Sequence, residues 1–327
     1  MPWQCHHPTE TPRAQWLGWL TEIAVPSPYL LPEWGLFWES VWPRSRAELW
    51  ILADADGNML AGIPLVRRRR IGWEMCYAQP MGTPCGPFRS RGRSSDDISV
   101  GDFMSAAIGP RTIEFAVHPD LLVGGNLDRW QRQDLRSEAW ILRLDPAVND
   151  NRRRYSESHR RNIDKGQRLN PRLAPLERED DVSHFLTAWG GRSRPSRFVL
   201  NRTYAHALVR LFGPTGALRF HTAWMDLKPV AAVIFLVHGD VAVYVDGAFD
   251  RERASQGVGH FLFAETLNRL RAEGVRTVDL GGGPAGATAG GLAQFKRGWG
   301  AMSVERTTAV YRRPWYHTVR SLLRGGR

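Results

Sequence analysis

Between an apolar run ending near Gly247 and a helical pattern beginning near Gly257 lies Arg251-Glu-Arg-Ala-Ser-Gln-Gly-Val-Gly259. Small residues directly before a helix let backbone N–H groups approach an anion closely, and the helix dipole adds to the attraction. An ordinary helix start asks for the same residue types. Residues 152–168 carry seven basic and two acidic side chains, among them Arg154, Arg160, Arg161 and Arg168. Such a cluster suits phosphate groups, and it equally suits a solvated helix face. Asp246 closes the run Tyr244-Val-Asp where a strand meets a turn. A partly desolvated carboxylate at such a place takes up a proton, with turn capping as the alternative. Of the 44 basic residues only Lys165, Lys228 and Lys296 are lysine, so each stands out against an arginine background. Metal chemistry has little to build on, because the ten histidines form no HxxxH and no His/Cys cluster. Cys5, Cys76 and Cys85 form no CxxC pair, and their odd number rules out a full disulfide framework. They read as free buried thiols, and His6 and His7 as a solvated terminus.

A chain of 327 residues holds about two domains at ~150 residues each. Apolar residues at 43% and charged residues at 24% place it among globular proteins and exclude a mostly disordered chain. The longest charge-free apolar run, Pro229–Val237, is less than half of a bilayer span, and Met1–Glu10 has no basic-then-apolar secretory pattern. A soluble, cytoplasmic protein without stable membrane insertion is expected. Charge is polarised along the chain. Residues 1–148 hold 15 basic and 17 acidic side chains, a net −2, whereas 149–327 hold 29 and 16, a net +13. That field favours an anionic partner, and nucleic acid, a nucleotide diphosphate and an anionic lipid headgroup all qualify.

The elements that must position these residues follow from periodicity. Helices are expected at Trp16–Leu20, Glu33–Val41, Asn151–Leu169, Asp180–Trp189, Arg202–Phe212 and Gly257–Glu273. Glu48–Ala53 and Met59–Val66 flank Asp54-Ala-Asp-Gly57 and read as a hairpin, with Arg67–Arg70 extending its second strand along a solvated edge. Further strands are expected at Thr112–Val117, Ala139–Leu144, Ala217–Met225, Val230–Val237, Val241–Gly247 and Arg276–Leu280, the last leading into a glycine-rich loop over Gly281–Gly291. Pro80–Pro87 reads as a loop and Arg89–Asp97 as a mobile polar segment. Antiparallel strands feeding a strand, a Gly-rich turn and a helix make an α+β layer and not an alternating βαβ fold.

The turn at 251–259 resembles the pyrophosphate loop of the acyl-CoA N-acyltransferase (GNAT) superfamily, Arg/Gln-x-x-Gly-x-Gly/Ala after a strand. Gly257 and Gly259 match, while Ala254 stands at the Arg/Gln position with Arg253 one residue earlier. Tyr155-Ser-Glu-Ser-His-Arg-Arg-Asn-Ile-Asp-Lys-Gly-Gln-Arg168 and Gly291-Leu-Ala-Gln-Phe-Lys-Arg-Gly-Trp-Gly-Ala301 are similar to blocks of the Fem-type branch, which pairs two GNAT-like domains in one chain. The hairpin and the Gly-Thr-Pro-Cys-Gly-Pro segment fall in the family's order, so the resemblance covers most of the chain. It implies two tandem α+β GNAT-like domains, each a mostly antiparallel mixed sheet flanked by helices, at 1–148 and 149–310, with a return of 311–327 to the first domain as an option. No pair of long heptad-like helices interrupts the second half, so no helical arm is expected.

The same resemblance implies an amide-forming aminoacyltransferase that moves an aminoacyl group from aminoacyl-tRNA to an amine of a cell-wall precursor or a peptide natural product. Charged tRNA and a small amine-bearing or peptide acceptor would be its partners, with no tightly bound cofactor. An acyl-CoA-dependent transferase of the same fold is the alternative, and a non-catalytic RNA-binding protein would also explain the charge. In such a reaction an amine attacks an ester or thioester carbonyl, charge develops on the carbonyl oxygen, and an ammonium proton leaves. By the resemblance Lys296, at the Phe-Lys block, stabilises that charge, its ammonium being a compact point donor unlike a guanidinium fork. A surface lysine beside Arg297 is the alternative. Phe295 orients Lys296. Asp246 is the candidate base, and Asp102 lies near an acidic position of some Fem-type chains. Arg253, Gln256, Gly257 and Gly259 would hold the donor's cofactor portion, and Arg154, Arg160, Arg161, Tyr244 and Arg297 the substrates.

Overall fold

The computed structural model describes residues 3–23, 27–70, 72–78, 88–89, 103, 106–117, 130–145, 151–190, 198–250, 256–284 and 290–317. Two compact units emerge from the chain contacts, Met1–Ser137 with Arg306–Arg327, and Glu138–Glu305. One boundary falls inside the strand over Gln131–Arg143 and the other inside the strand over Met302–Arg312, where the expected limits were residues 148 and 310.

The first unit contains β1 (Trp3–His6), α1 (Arg13–Thr21), α2 (Pro32–Val41), β2 (Ser45–Ala53), β3 (Met59–Arg70), β4 (Trp73–Tyr77), β5 (Phe88–Arg89) and β6 (Thr112–Val117). In space the strands run β1-β2-β3-β4-β6 and then Ala309–Arg312, with β4 and β6 parallel and the other neighbours antiparallel. The hairpin forms as its turn chemistry requires, Asp54 Oδ1 accepting the N–H groups of Asp56 and Asn58 at 3.0 and 2.9 Å. Its second strand is not a solvated edge. β3 is paired on both sides, and Arg67 turns inward to a bidentate contact with Glu48 at 2.8 and 2.9 Å and a further bond to Glu74 at 3.1 Å. A half-buried guanidinium needs such partners to offset its lost hydration. The first residues likewise differ from a solvated terminus, since β1 pairs with β2 and His7 contacts Glu39 at 3.2 Å. Of the cysteines, Cys76 is buried and Cys5 is exposed, while Cys85 lies outside the described residues, as do the segments 80–87 and 90–97.

The second unit takes up the end of β7 (Gln131–Arg143), then α3 (Glu157–Arg168), β8 (Arg172–Pro175), α4 (Glu179–Trp189), α5 (Arg202–Phe212), β9 (Leu218–Met225), β10 (Lys228–His238), β11 (Val241–Phe249), α6 (Val258–Ala272), β12 (Thr277–Pro284), α7 (Gly291–Gly298) and the start of β13 (Met302–Arg312). Its spatial strand order is β7-β12-β11-β10-β9-β8, antiparallel over β8 to β11 and parallel between β11 and β12. Pro229–Leu236 of β10 is buried at every position, as a strand covered on both faces must be. Ala231, Val233 and Phe235 face Leu262, Phe263 and Leu267 of α6, in a core that also takes in Leu280 and Trp299. β12 runs on through Gly281–Pro284, where the glycines suggested a loop. The reason is close packing, since a Cβ on Gly282 would lie 1.7 Å from the carbonyl oxygen of Glu138. The five helices described in this unit are short, and none of the chain's described helices is long and apolar enough to cross a membrane.

The β9–β10 hairpin closes through Asp226 and Leu227, whose φ values of +51° and +62° are those of a type I′ turn. Leucine is a poor choice there, because its Cβ crowds the backbone in the left-handed region, and its side chain is 88% exposed. Leu227→Gly is therefore expected to stabilise the protein by about 1 kcal/mol, read as a higher urea midpoint at unchanged m-value.

Candidate active site

β11 and β12 are hydrogen-bonded neighbours only over Val241–Val243 and Thr277–Asp279, although both strands continue beyond. The cause is local. In the β10–β11 ladder Ile234 opposes Asp246 and Phe235 opposes Tyr244, so Val245 is an extra, bulged residue. A bulge bends its strand and raises the local twist. Past it the strands part, and the gap opens as a cavity of about 610 Å³. One wall is β11, from Tyr244 to Phe249, with Asp250 behind it, and the other is Leu280–Gly282 of β12. Val258, Gly259 and His260, the first turn of α6, and Gly291, Leu292, Phe295 and Lys296 of α7 close the remaining sides.

Residues 291, 292, 295 and 296 share one helix face, which explains why α7 presents them together. Neither α6 nor α7 has a side-chain cap at its N-terminus. The first turns of two helices, with their positive dipole ends, therefore border the same space. Lys296 adds a full charge to this wall. It is 4% exposed, and its Nζ donates to the carbonyl oxygen of Gly281 at 2.9 Å. Burial pushes its pKa below the ordinary lysine value, against the opposing pull of Asp279. Asp279 is itself buried and accepts the Gly281 N–H at 2.7 Å, so the two charges meet across one turn of backbone.

The opposite wall is acidic. Asp246 Oδ2 accepts the backbone N–H groups of Phe198 and Val199 at 2.8 and 3.1 Å, the capping alternative, while the residue also lines the cavity. Asp250, 4% exposed, lies beside it. Tyr244 is held by Phe235 and Phe263, and Gly247 makes room for its hydroxyl, which a Cβ there would approach to 2.2 Å. Burial and then the Asp246 charge push the Tyr244 hydroxyl well above its usual pKa, so it stays protonated. His260 is pushed down to about 4 by burial and by neighbouring His159, which leaves a neutral imidazole at the cavity. Among the described residues no group of three or more His, Cys, Asp or Glu side chains is arranged to hold a metal ion. A mainly apolar space with one cationic and one anionic wall can polarise a carbonyl group on one side and attract an amine on the other.

Residues 151–297 match the family model for an acetyltransferase (GNAT) domain. Over both units the chain is similar to the crystal structure of FemX, with a TM-score of 0.71 and 11% identity over 98% of this chain and 99% of that one. The chain has the tandem GNAT fold of FemX. This GNAT fold is also similar to L-PGS from Bacillus licheniformis (TM-score 0.60, 12% identity, 98% and 97% of the two chains). A tandem GNAT protein from the clavulanic acid biosynthesis pathway is similar at a TM-score of 0.56 and 10% identity, over 95% and 98% of the two chains. No curated protein matches the chain.

Within this GNAT unit Lys296, Asp246, Tyr244, Phe295 and Gly259 come together at the cavity. Gln256 and Gly257 stand just outside its lining, and Arg253 and Asp102 lie outside the described residues. The two matching glycines of the loop have packing reasons of their own. A Cβ on Gly257 would meet the carbonyl oxygen of Asn162 at 2.0 Å, and one on Gly259 would meet the Phe249 ring at 2.4 Å. The arginines do not line the cavity. Arg154 contacts Asp145 at 3.7 Å and the carbonyl oxygen of Arg143 at 3.2 Å, Arg160 the carbonyl oxygen of Tyr155 at 3.0 Å, and Arg161 the carboxylate of Glu157 at 3.3 Å. Arg297 lies over the ring of Trp140 at 5.5 Å. Sequence reasoning passed over His260, Asp250, His159 and Asp279. The available signal was position, since His260 directly follows Gly259 in the first turn of the helix and Asp250 directly follows β11.

Proposed function

We propose that the chain is an N-acyltransferase that forms an amide in the cavity between β11 and β12, taking an aminoacyl group from aminoacyl-tRNA. The observation that carries this reading is the buried ammonium of Lys296 at a wall where two uncapped helix N-termini also end. Together they favour negative charge, and the charge that develops when an amine attacks an ester carbonyl is an oxyanion. The amine enters from the acidic wall, where Asp246 receives the proton as the carbon–nitrogen bond forms. Its Oδ2 is occupied by two backbone N–H groups, which leaves Oδ1 for the proton. The ester carbon–oxygen bond then breaks, the proton held by Asp246 passes to the departing ribose oxygen, and no covalent enzyme intermediate is needed. The net +13 of residues 149–327 supports a polyanionic donor, and the acceptor is an amine of a cell-wall precursor or a peptide natural product.

An acyl-CoA donor is the second reading, favoured by the uncapped first turn of α6 at the cavity, where a phosphate would be well received. One assay separates the two. Purified protein is supplied with charged tRNA or with acyl-CoA, together with candidate amines. Amide formation abolished by RNase supports the tRNA donor, and stoichiometric release of free CoA supports the thioester. Salt-sensitive RNA binding without turnover of either donor would overturn both.

A further inference from the structure

Helix α7 ends with four carbonyl groups that its own ladder cannot satisfy, those of Phe295, Lys296, Arg297 and Gly298. The turn that follows takes two of them. Trp299 and Ala301 donate to Lys296 at 3.2 and 3.4 Å, and Gly300 donates to Arg297 at 2.9 Å. The other two are taken by the start of α3, more than a hundred residues earlier in the chain. The N–H of Ser156 donates to the Gly298 oxygen at 2.8 Å, and His159 Nε2 donates to the Phe295 oxygen at 3.0 Å.

His159 is suited to this by its own surroundings. It is 6% exposed, and its Nδ1 lies 3.1 Å from Ser156 Oγ, which also accepts the His159 backbone N–H at 3.3 Å. Because Phe295 offers only an acceptor, the proton sits on Nε2, and the Ser156 hydroxyl donates to Nδ1. The ring fills the space that a side chain at 298 would need, since a Cβ on Gly298 would lie 2.1 Å from His159 Cε1. Its faces and edges meet Trp299 at 4.8 Å, Phe295 at 5.6 Å and His260 at 4.8 Å between ring centroids. A single imidazole thus ties α3 to the helix that carries Lys296, at the residue immediately before it.

We infer that His159 is a positioning residue for Lys296, holding the C-terminal turn of α7 so that the ammonium stays against Gly281 at the cavity wall. The inference rests on the proposed role of Lys296 in acyl transfer, but the position of Lys296 can be read without any substrate. The chain has three lysines, and Lys165 lies on the same helix as His159. Labelling with 13Cε-lysine therefore yields three correlations, one of which reports the site and one the integrity of α3. The Lys296 signal is assigned by its loss in Lys296→Met. His159→Leu is expected to move the Lys296 signal and to leave Lys165 and Lys228 in place, while His159→Gln, whose amide also reaches Phe295, returns it towards its original position. In the amide-forming assay His159→Leu is expected to lower kcat by roughly 10- to 100-fold at unchanged KM, as a small misplacement of a charged group does. The same change in the Lys296→Met background should cost nothing further. An unmoved Lys296 signal, equal movement of all three signals, or the same loss of turnover in both backgrounds would overturn the inference. Should His159→Leu fail to fold, His159→Asn, too short to reach Phe295, takes its place with the same expected outcomes. If Lys296→Met keeps full turnover, it is the proposed role of Lys296 that fails, and the spectra still decide whether His159 sets its position.

Discussion

Lys296→Met is expected to lower kcat for amide formation by about 10²- to 10³-fold in a protein that still folds, the loss seen when one preorganised donor is taken from a developing oxyanion. Methionine keeps the length and most of the volume of the side chain, so the wall of the cavity stays closed while its charge is removed. Stability should change little. The variant no longer buries an ammonium, which is costly, but it leaves the Gly281 carbonyl and the Asp279 carboxylate without their cation, and the two effects oppose. Asp279 retains the Gly281 N–H in either case. Lys296→Arg should not restore activity, because a planar fork cannot occupy the place of a compact ammonium whose side chain is 4% exposed. Steady-state kinetics and a thermal melt on the same preparations check both parts. Full turnover in either variant would remove Lys296 from the chemistry.

Gly257→Ala should be strongly destabilising, costing about 3–5 kcal/mol. Two effects combine. The residue sits at φ +77°, where a Cβ costs about 1–2 kcal/mol, and that Cβ would lie 2.0 Å from the Asn162 oxygen and 3.1 Å from the Gly166 nitrogen. Both are backbone atoms of α3, which cannot swing aside as a side-chain tip can. Gly274, at φ +91° with no heavy atom within 4 Å, isolates the first effect. Gly274→Ala is expected to cost only the backbone part, about 1–2 kcal/mol. Urea unfolding of the two variants, compared at equal m-value, separates steric contact from backbone strain. Equal losses would mean that α3 moves away from Gly257 at little cost. Because α3 also carries His159, Gly257→Ala is expected to disturb the site as well as the fold.

The hairpin around Asp54–Gly57, the helices over 202–212 and 258–272 and the strands over 218–249 stand close to where their periodicity placed them, since each depends on the spacing of apolar side chains a few residues apart. Shorter elements gave weaker signals. β1, β4, β8 and α7 have between four and eight residues, too few for a period to declare itself, and β12 continues through three glycines because Glu138 packs against one of them.

At the candidate site, the lysine block stood out because this chain is otherwise so rich in arginine, and the glycines before α6 stood out because small residues collect before a helix. Their meaning still depended on packing. Gly257 and Gly259 are accounted for by Asn162 and Phe249, and Arg154, Arg160 and Arg161 have carbonyl and carboxylate partners in the unit that charge counting cannot reveal. Asp250 and His260 give no composition signal at all. What sets them apart is that β11 bulges at Val245 and leaves β12, so that residues far apart in the chain come to border one space.

The amino-acid order alone determined the α+β class, which follows from local periodicity and residue type, while the tandem architecture and the weight given to the block that carries Lys296 came from the resemblance in motif order. Only the tertiary structure decided that Lys296 is buried against Gly281, that acidic and cationic walls face one cavity, and that a histidine from α3 holds α7 in place. Those facts depend on which distant backbone groups satisfy one another, and a helix end's unsatisfied carbonyls do not name their partners until the chain has folded.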